Sequence, residues 1–165
     1  SDLKHLADSE NQPLIRVMPN INAQIGQSTS AIVKNEFVVD SAYATVQEIF
    51  KATGSVHEIA EKDFSTFAAI AGSSPAFIYM FIDAMARAGV LHGIPKDQAT
   101  AIVAETVRAS AEMILQSGEN PWSLVDKVSS PGGTTVAGVV SLEQNHFIGT
   151  VIDAISATIE KEKNL

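Results

Sequence analysis

The sequence predicts a mainly α-helical protein that begins with a short α/β segment. In the first third, short runs of β-branched and apolar residues alternate with one helical pattern, as they do in α/β proteins. From Glu61 onward every segment has the periodicity of a helix. One of those helices, which begins at Pro75, is apolar on nearly all sides. We therefore place a boundary near residue 60 and divide the chain into regions 1–59 and 60–165.

The region 1–59 contains three short strand patterns and one helix, after a segment at Ser1–Ala7 that has the pattern of a helix end. The strands are placed at Leu14–Met18, Ser30–Val33 and Ser55–Ile59. Pro19-Asn20 signals a turn after the first strand. Asp40 or Ser41 is expected to cap a helix through Lys51, and Gly54 to stop it.

The region 60–165 is expected to form helices separated by glycine and proline. Their ranges are about 63–71, 75–90, 95–117, 121–128, 134–143 and 147–161. Gly72-Ser73-Ser74 is expected to break the first helix, which places Pro75 in the first turn of the second. A helix as apolar as 75–90 must be buried on most sides. A small domain offers little cover, so the sequence favours a central position or a partner chain.

The composition is that of an ordinary globular protein and excludes several classes. Of 165 residues, 45% are apolar and 18% charged, with a net charge of −8. This charge argues against non-specific nucleic-acid binding and against an acidic membrane surface. Asp83 and Arg87 interrupt the most apolar run, Pro75–Leu91, which is shorter than the roughly 20 residues of a membrane span. The pair is expected to form an i, i+4 ion pair.

Metal and disulfide chemistry find no support in the sequence. The chain has no cysteine, which excludes a disulfide framework and a thiolate metal site and is compatible with a reducing cytoplasm. Its four histidines are scattered without the paired spacing of a zinc site, so no metal is expected.

The most informative stretch is Ser129-Ser130-Pro131-Gly132-Gly133-Thr134-Thr135. Pro131 fixes one backbone dihedral, and the two glycines allow a ligand to approach the backbone. The helix that follows exposes N–H groups and the positive end of its dipole at Thr134 or Thr135. The stretch therefore suits capture of a small anion beside a neutral proton donor. The alternative, an ordinary Gly-Gly turn with a threonine N-cap, stays open on these residues alone.

The wider pattern Leu124–Val139 resembles the signature of the pyrroline-5-carboxylate reductases, which reduce a cyclic imine to proline with NADPH or NADH. Arg16–Asn20 looks like the strand end that closes the family's dinucleotide-binding domain. Gly72–Phe77 looks like the family's helix-opening motif, with Ser74 where glycine is usual. Ala88–Val90 followed by Gly93–Pro95 also matches, so the resemblance covers essentially the whole chain.

The resemblance implies a helical dimerisation domain, like the C-terminal domain of 6-phosphogluconate dehydrogenase, after the last α/β elements of a truncated Rossmann domain. The sequence contains no G-x-G-x-x-G loop of the kind that holds a dinucleotide pyrophosphate. It therefore looks like the C-terminal portion of a reductase. Alone it is expected to be inactive and to bind NADPH weakly.

The resemblance also implies roles for eight residues. In the family, substrate lies between the nicotinamide of one subunit and the glycine-threonine turn of the other. Gly133, Thr134 and Thr135 would donate backbone N–H groups to the substrate carboxylate, beside Ser130 and Gly132. The Thr135 hydroxyl would bond the ring nitrogen and is the expected catalytic group. Met18, Pro19 and Asn20 would lie near the nicotinamide.

The expected partners are a small-molecule substrate and a second copy of the chain, joined through interlocked helices. The family often assembles such dimers into decamers, which this sequence does not show. Neither nucleic acid nor membrane is expected as a partner, and the expected location is the cytoplasm. Two alternatives stay open: a helical dimerisation module without activity, and an unrelated helical domain whose Gly-Gly turn holds another carboxylate.

Overall fold

The computed structural model describes residues 12–164, so the helix end expected at Ser1–Ala7 lies outside the described residues. The strands are β1 (Ile15–Met18), β2 (Ser28–Lys34) and β3 (Gly54–Glu58). The helices are α1 (Asp40–Lys51), α2 (Phe64–Phe67), α3 (Ser74–Leu91), α4 (Lys96–Ser117), α5 (Pro121–Val128), α6 (Thr134–Gln144) and α7 (Phe147–Lys163). Short 3-10 helices lie at Ile21–Ile25 and Glu61–Asp63. The chain divides into two compact units, whose described parts are residues 12–75 with 154–164, and residues 76–153.

The three strands of the first unit form one sheet in the order β1-β2-β3. β1 runs antiparallel to β2, and β2 runs parallel to β3. Gly54 opens β3 opposite Ser28, and a β-carbon there would lie 2.1 Å from the Ser28 carbonyl oxygen. The expectation that Gly54 stops α1 is therefore wrong: this glycine has a φ of 147° and is needed for close approach of two strands.

The start of α1 also differs from the expectation. Val39 occupies the N-cap position, and no side chain caps the helix. The Asp40 carboxylate instead accepts a hydrogen bond from Lys34 Nζ at 2.5 Å. Asp40 thus lies in the first turn, where a negative charge favours the helix dipole, and holds α1 to the end of β2.

Two hydrophobic clusters form the core of the first unit. Ala31, Phe64, Phe67 and Ala71 are buried together, with Met18 packed against them. Ile32, Val38 and Tyr43 form a second cluster. Since successive side chains of a strand point to opposite faces, Ala31 and Ile32 of β2 serve the two clusters separately.

The helix from Glu61 to Leu91 is continuous, and the break expected at Gly72–Ser74 is wrong. Residues Ala68–Ser73 instead form a π-helical segment, which we call the π segment. Pro75 lacks an N–H and would ordinarily disturb a helix interior. The wider turn before it accommodates the proline, and the Ser74 hydroxyl donates to the Ala69 carbonyl at 2.8 Å.

This helix keeps much of its apolar surface exposed in the single chain. Met80 is 72% exposed and Leu91 80% exposed. The sequence favoured burial of this helix either by a central position in the chain or by a partner chain. The observed exposure is compatible with a partner chain and not with a central position. By length and composition alone the stretch Glu61–Leu91 could also cross a membrane, but core helices of soluble proteins pass the same test.

The second unit holds most of α3, with α4, α5, α6 and the first part of α7. The expected ion pair between Asp83 and Arg87 is confirmed, at 2.5 Å, and Lys96 also binds Asp83. The α3 and α4 backbones approach closely, since a β-carbon on Gly89 would lie 3.1 Å from that of Ala99. The buried side chains here are Ala86, Ala99 and Val103.

Candidate functional site: a proline-glycine turn at a helix start

The stretch between α5 and α6 is a tight turn followed directly by a helix. The Gly133 N–H donates to the Ser130 carbonyl at 2.9 Å, closing a four-residue turn. Pro131 holds its second position, and Gly132, with φ at 69°, its third. A proline followed by a left-handed residue is the pattern of a type II turn. The sequence Ser-Pro-Gly-Gly therefore fixes the backbone that leads into α6.

The second glycine is required for a different reason. Gly133 has an ordinary φ of −78°, so its conformation suits any residue. A β-carbon there would lie 2.5 Å from Ser130 Oγ and 3.1 Å from the Ser130 carbonyl oxygen. Gly132 meets no atom within 4 Å and is required by its φ alone. Each glycine thus has its own structural reason.

Helix α6 begins at Thr134, and its N-cap is Gly133. The alternative of a threonine N-cap is wrong, because both threonines already lie inside the helix. Glycine has no side chain to accept the first N–H groups, which intrahelical bonds also leave free. The Gly133 N–H is donated to Ser130, so the groups left for a ligand begin with those of Thr134 and Thr135. Both threonines are exposed.

Serine 129 is a feature that sequence reasoning did not resolve. Ser129 is the C-cap residue that follows α5, and it donates its N–H to the Asp126 carbonyl at 3.2 Å. Its hydroxyl oxygen is buried and has no hydrogen-bond partner among the described residues. Ser130, the serine expected to line the pocket, is exposed. The sequence shows two adjacent serines at the turn, but only the structure shows that the buried hydroxyl belongs to Ser129.

No ionisable side chain lies between Ser129 and Thr135. The clear pKa shifts occur elsewhere: Lys34 lowers the pKa of Asp40, burial raises the pKa of Tyr43, and Lys96 with Arg87 lowers the pKa of Asp83. Within residues 12–164 no group of three or more His, Asp and Glu side chains could hold a metal ion. The turn therefore offers backbone N–H groups and neutral hydroxyls.

The strand-end residues Met18, Pro19 and Asn20 lie in the first unit. Met18 ends β1 opposite Ala31 and is partly buried against the core. Pro19 is exposed. The Asn20 side chain accepts from the N–H groups of Asn22 and Thr29, at 3.2 and 3.3 Å. The structure thus keeps these three residues together, and groups Ser130–Thr135 within the second unit.

Residues 61–165 match the family model described as "Pyrroline-5-carboxylate reductase dimerisation". The chain belongs to the pyrroline-5-carboxylate reductase family. It is 40% identical over 156 residues to the pyrroline-5-carboxylate reductase of Aquifex aeolicus (strain VF5), covering 94% of this chain and 59% of that protein. With the enzyme of Pisum sativum it shares 37% identity over 164 residues, covering 99% of this chain and 59% of that protein.

Solved structures of the reductase family agree along nearly the whole chain. The enzyme of Streptococcus pyogenes has a TM-score of 0.94 at 48% identity, covering 99% of this chain and 64% of its own. That of Plasmodium falciparum, solved with NADP bound, has a TM-score of 0.92 at 35% identity, covering 99% and 66%. The predicted fold class, a helical dimerisation domain after part of a Rossmann domain, is confirmed. The chain spans about three fifths of the length of its curated relatives.

Proposed function

We propose that the full-length protein reduces 1-pyrroline-5-carboxylate to L-proline with NADPH or NADH. The observation that carries this proposal is the Ser130–Gly133 turn, which delivers α6 with a glycine at its N-cap and free N–H groups at Thr134 and Thr135. Helix starts of this kind bind carboxylates through N–H groups and the helix dipole. Family membership supplies the ring chemistry of the substrate.

In this proposal the substrate carboxylate is held at the start of α6. The N–H groups of Thr134 and Thr135 donate to it, while Gly132 and Gly133 keep the approach free of side chains. Ser130 lines the turn and holds the Gly133 N–H through its carbonyl. Since no charged side chain lies in the turn, binding depends on backbone groups, which are fixed before the substrate arrives.

Reduction of the imine adds a hydride to carbon and leaves a proton on the ring nitrogen. A bound nicotinamide supplies the hydride. The Thr135 hydroxyl would hydrogen-bond the nitrogen and orient the imine, or relay a proton from water. A threonine hydroxyl is a poor acid, so positioning provides most of its effect. Thr135 is exposed at the first turn of α6, which leaves its hydroxyl accessible to a ligand.

Met18, Pro19 and Asn20 would lie near the nicotinamide. Met18 and Pro19 offer apolar surface at a strand end, which suits the face of an uncharged ring, and Asn20 follows them directly. The choice between NADPH and NADH depends on residues that read the 2′-phosphate, and the glycine-rich loop of a Rossmann domain is not among these 165 residues. We expect this chain alone to bind either nucleotide weakly, and a titration that shows micromolar affinity would refute that expectation.

We further propose a homodimer with interlocked helices, which could assemble into decamers. The described family model concerns dimerisation, and α3 and α4 expose large apolar side chains such as Met80 and Leu115. A net charge of −8 disfavours nucleic acid and acidic membranes as partners, and the cytoplasm is the proposed location.

As a second candidate function, this chain by itself is a dimerisation module without activity. If this chain is a monomer at micromolar concentration, both the homodimer and the dimerisation module are contradicted.

The test is an assay of the full-length protein with 1-pyrroline-5-carboxylate and each nucleotide in turn. We expect nucleotide oxidation that depends on the imine, and formation of proline. In Thr135→Val the hydroxyl is lost while the side-chain shape is kept, and kcat should fall by about 10- to 100-fold with a smaller change in KM. Thr45→Val, on the exposed face of α1, is the matched control. A wild-type protein without this activity would refute the proposal.

A further inference from the structure

The Ala71 carbonyl in the π segment cannot accept the i+4 hydrogen bond of an α-helix. In an α-helix the N–H of residue 75 would donate to the carbonyl of residue 71, but residue 75 is proline. Ala71 is 9% exposed, so water is largely excluded from this carbonyl. A buried carbonyl left without a donor is costly.

A side chain at the strand end donates to this carbonyl. Asn20 Nδ2 donates to the Ala71 carbonyl at 3.0 Å, across 51 residues of sequence. The Asn20 Oδ1 accepts from Asn22 and Thr29, so one side chain satisfies a carbonyl and two N–H groups. Its own N–H donates to Ser28 Oγ at 3.2 Å. Asn20 is therefore held in place by hydrogen bonds from both its side chain and its backbone.

The other end of β1 is bound to the same helix. Arg16 pairs with Glu61 at 2.6 Å, and its guanidinium lies 4.3 Å from the centre of the Phe64 ring. Met18 lies between these two attachments and packs against the core. β1 is thus held to the Glu61–Ala71 part of the helix before and after Met18, and Asn20 is the attachment next to Pro19.

We propose that Asn20 is a positioning residue: its amide replaces the backbone donor that Pro75 lacks, and thereby fixes Met18 and Pro19 against the π segment. This inference rests on the proposed function, because the position of Met18 and Pro19 matters to a hydride transfer near them. Asn20 acts through the strand end and needs no contact of its side chain with the nucleotide. Small displacements of groups that position reactants have large effects on rate.

The test uses the full-length enzyme and three variants. Asn20→Asp keeps an acceptor for Asn22 and Thr29 but sets an oxygen against the Ala71 carbonyl. Pro75→Ala returns a backbone N–H to that carbonyl. The double variant Asn20→Asp/Pro75→Ala combines the two, and Asn22→Asp is the matched control, with the same charge change two residues away.

The measured quantity is the single-turnover rate constant of hydride transfer, which loss of folded protein does not alter. In Asn20→Asp we expect this rate constant to fall by about 10-fold or more, with KM for the imine changed by less than about twofold. Pro75→Ala and Asn22→Asp should retain the wild-type rate. The double variant should recover most of the loss, because the Ala71 carbonyl again has a donor.

Two results would overturn the inference: an Asn20→Asp rate equal to that of Asn22→Asp, or a double variant no faster than Asn20→Asp. If Asn20→Asp does not fold, the double variant decides, since a folded and active protein supports the exchange of donors and an unfolded one refutes it. An inactive wild-type protein would instead refute the proposed function, while an active wild type with an unaffected Asn20→Asp variant refutes only the role of Asn20.

Discussion

Ser130 and Gly133 approach each other so closely that a β-carbon on Gly133 would lie 2.5 Å from Ser130 Oγ. The Gly133 N–H and the Ser130 carbonyl also form the hydrogen bond that closes the turn before α6. The same pair thus sets the shape of the turn and crowds any side chain placed at the N-cap. Whatever binds at the start of α6 depends on this contact.

Gly133→Ala should therefore open the turn and misplace the start of α6. Overpacking of this kind costs roughly 1–3 kcal/mol, and we expect reductase activity of the full-length protein to fall by about 10-fold or more. Removal of the obstructing hydroxyl in Ser130→Ala/Gly133→Ala should restore part of the activity. Steady-state kinetics and a thermal melt of each variant give the measurement.

Gly132→Ala is the matched comparison, because its penalty has another origin. A left-handed conformation costs a non-glycine residue roughly 1–2 kcal/mol, and no neighbour lies within 4 Å of the added carbon. Ser130→Ala should bring no recovery there. Equal recovery at both glycines would show that the contact between Ser130 and Gly133 is not the cause.

The exposed apolar side chains of α3 and α4 lead to a second prediction. Met80 and Leu115, 72% and 79% exposed in the single chain, would be covered in a dimer. Met80→Arg or Leu115→Arg should halve the molecular mass measured by light scattering, because a buried unpaired charge is costly. Ile25→Arg, at a position 75% exposed in the first unit, is the control and should remain dimeric. Unchanged mass in both α3 and α4 variants would place the interface elsewhere.

The sequence predicted the positions of strands and helices well, because apolar periodicity and glycine stops are local signals. Gly118 ends α4 with φ at 65°, as expected of a helix stop. The prediction of a helix break at Gly72–Ser74 was wrong, because a glycine shortly before a proline is compatible with a break and with a π segment alike. The π segment also accepts a hydrogen bond from Asn20, which lies 51 residues before Ala71, and no local pattern contains that contact.

In the candidate turn, too, some features follow from the local sequence and others depend on three-dimensional packing. That Ser130–Thr135 forms a turn before a helix follows from Pro131 and the two glycines. Which residue caps the helix does not, because threonine and glycine both occur at N-caps. The exclusion of a side chain from Gly133 depends on the rotamer and backbone of Ser130, which only three-dimensional packing determines.

A third prediction concerns the ion pairs of Asp83. Hydrogen bonds from Lys96 and then Arg87 lower the pKa of this carboxyl below its ordinary value of 3.8. A carboxyl with a lowered native pKa stabilises the fold above its unfolded pKa, and the contribution is lost as pH falls through the native value. Asp83→Asn should lower Tm at pH 7 by a few degrees at most, since the group is exposed.

The difference between wild type and Asp83→Asn should shrink below pH 3.8 and at high salt. Asp126→Asn removes an exposed carboxylate that has no ion-pair partner among residues 12–164, and serves as the control. Thermal melts across acid pH measure the effect. A Tm difference that persists unchanged below the native pKa would show that charge is not its origin.

A fourth prediction concerns Tyr43, whose hydroxyl is buried without a hydrogen-bond partner among the described residues. Burial, and then the negative charge of Glu58, raises the pKa of this phenol above its ordinary value of 10.0. As pH rises past 10.0, tyrosine in the unfolded chain loses its proton while Tyr43 in the folded protein keeps it. The free energy of unfolding must therefore fall in the window between those two pKa values.

Tyr43→Phe should remove this alkaline loss, and at neutral pH it should change the free energy of unfolding by no more than about 1 kcal/mol, because the buried hydroxyl makes no close hydrogen bond and its loss also removes the interaction with Glu58. Denaturant unfolding at a series of pH values, with wild type and variant compared at each, isolates the effect from other groups that titrate at alkaline pH. Tyr79→Phe, at a position 55% exposed, is the control and should keep the wild-type alkaline loss. Parallel stability curves for wild type and Tyr43→Phe above pH 10 would mean that Tyr43 ionises as readily in the folded protein as in the unfolded chain.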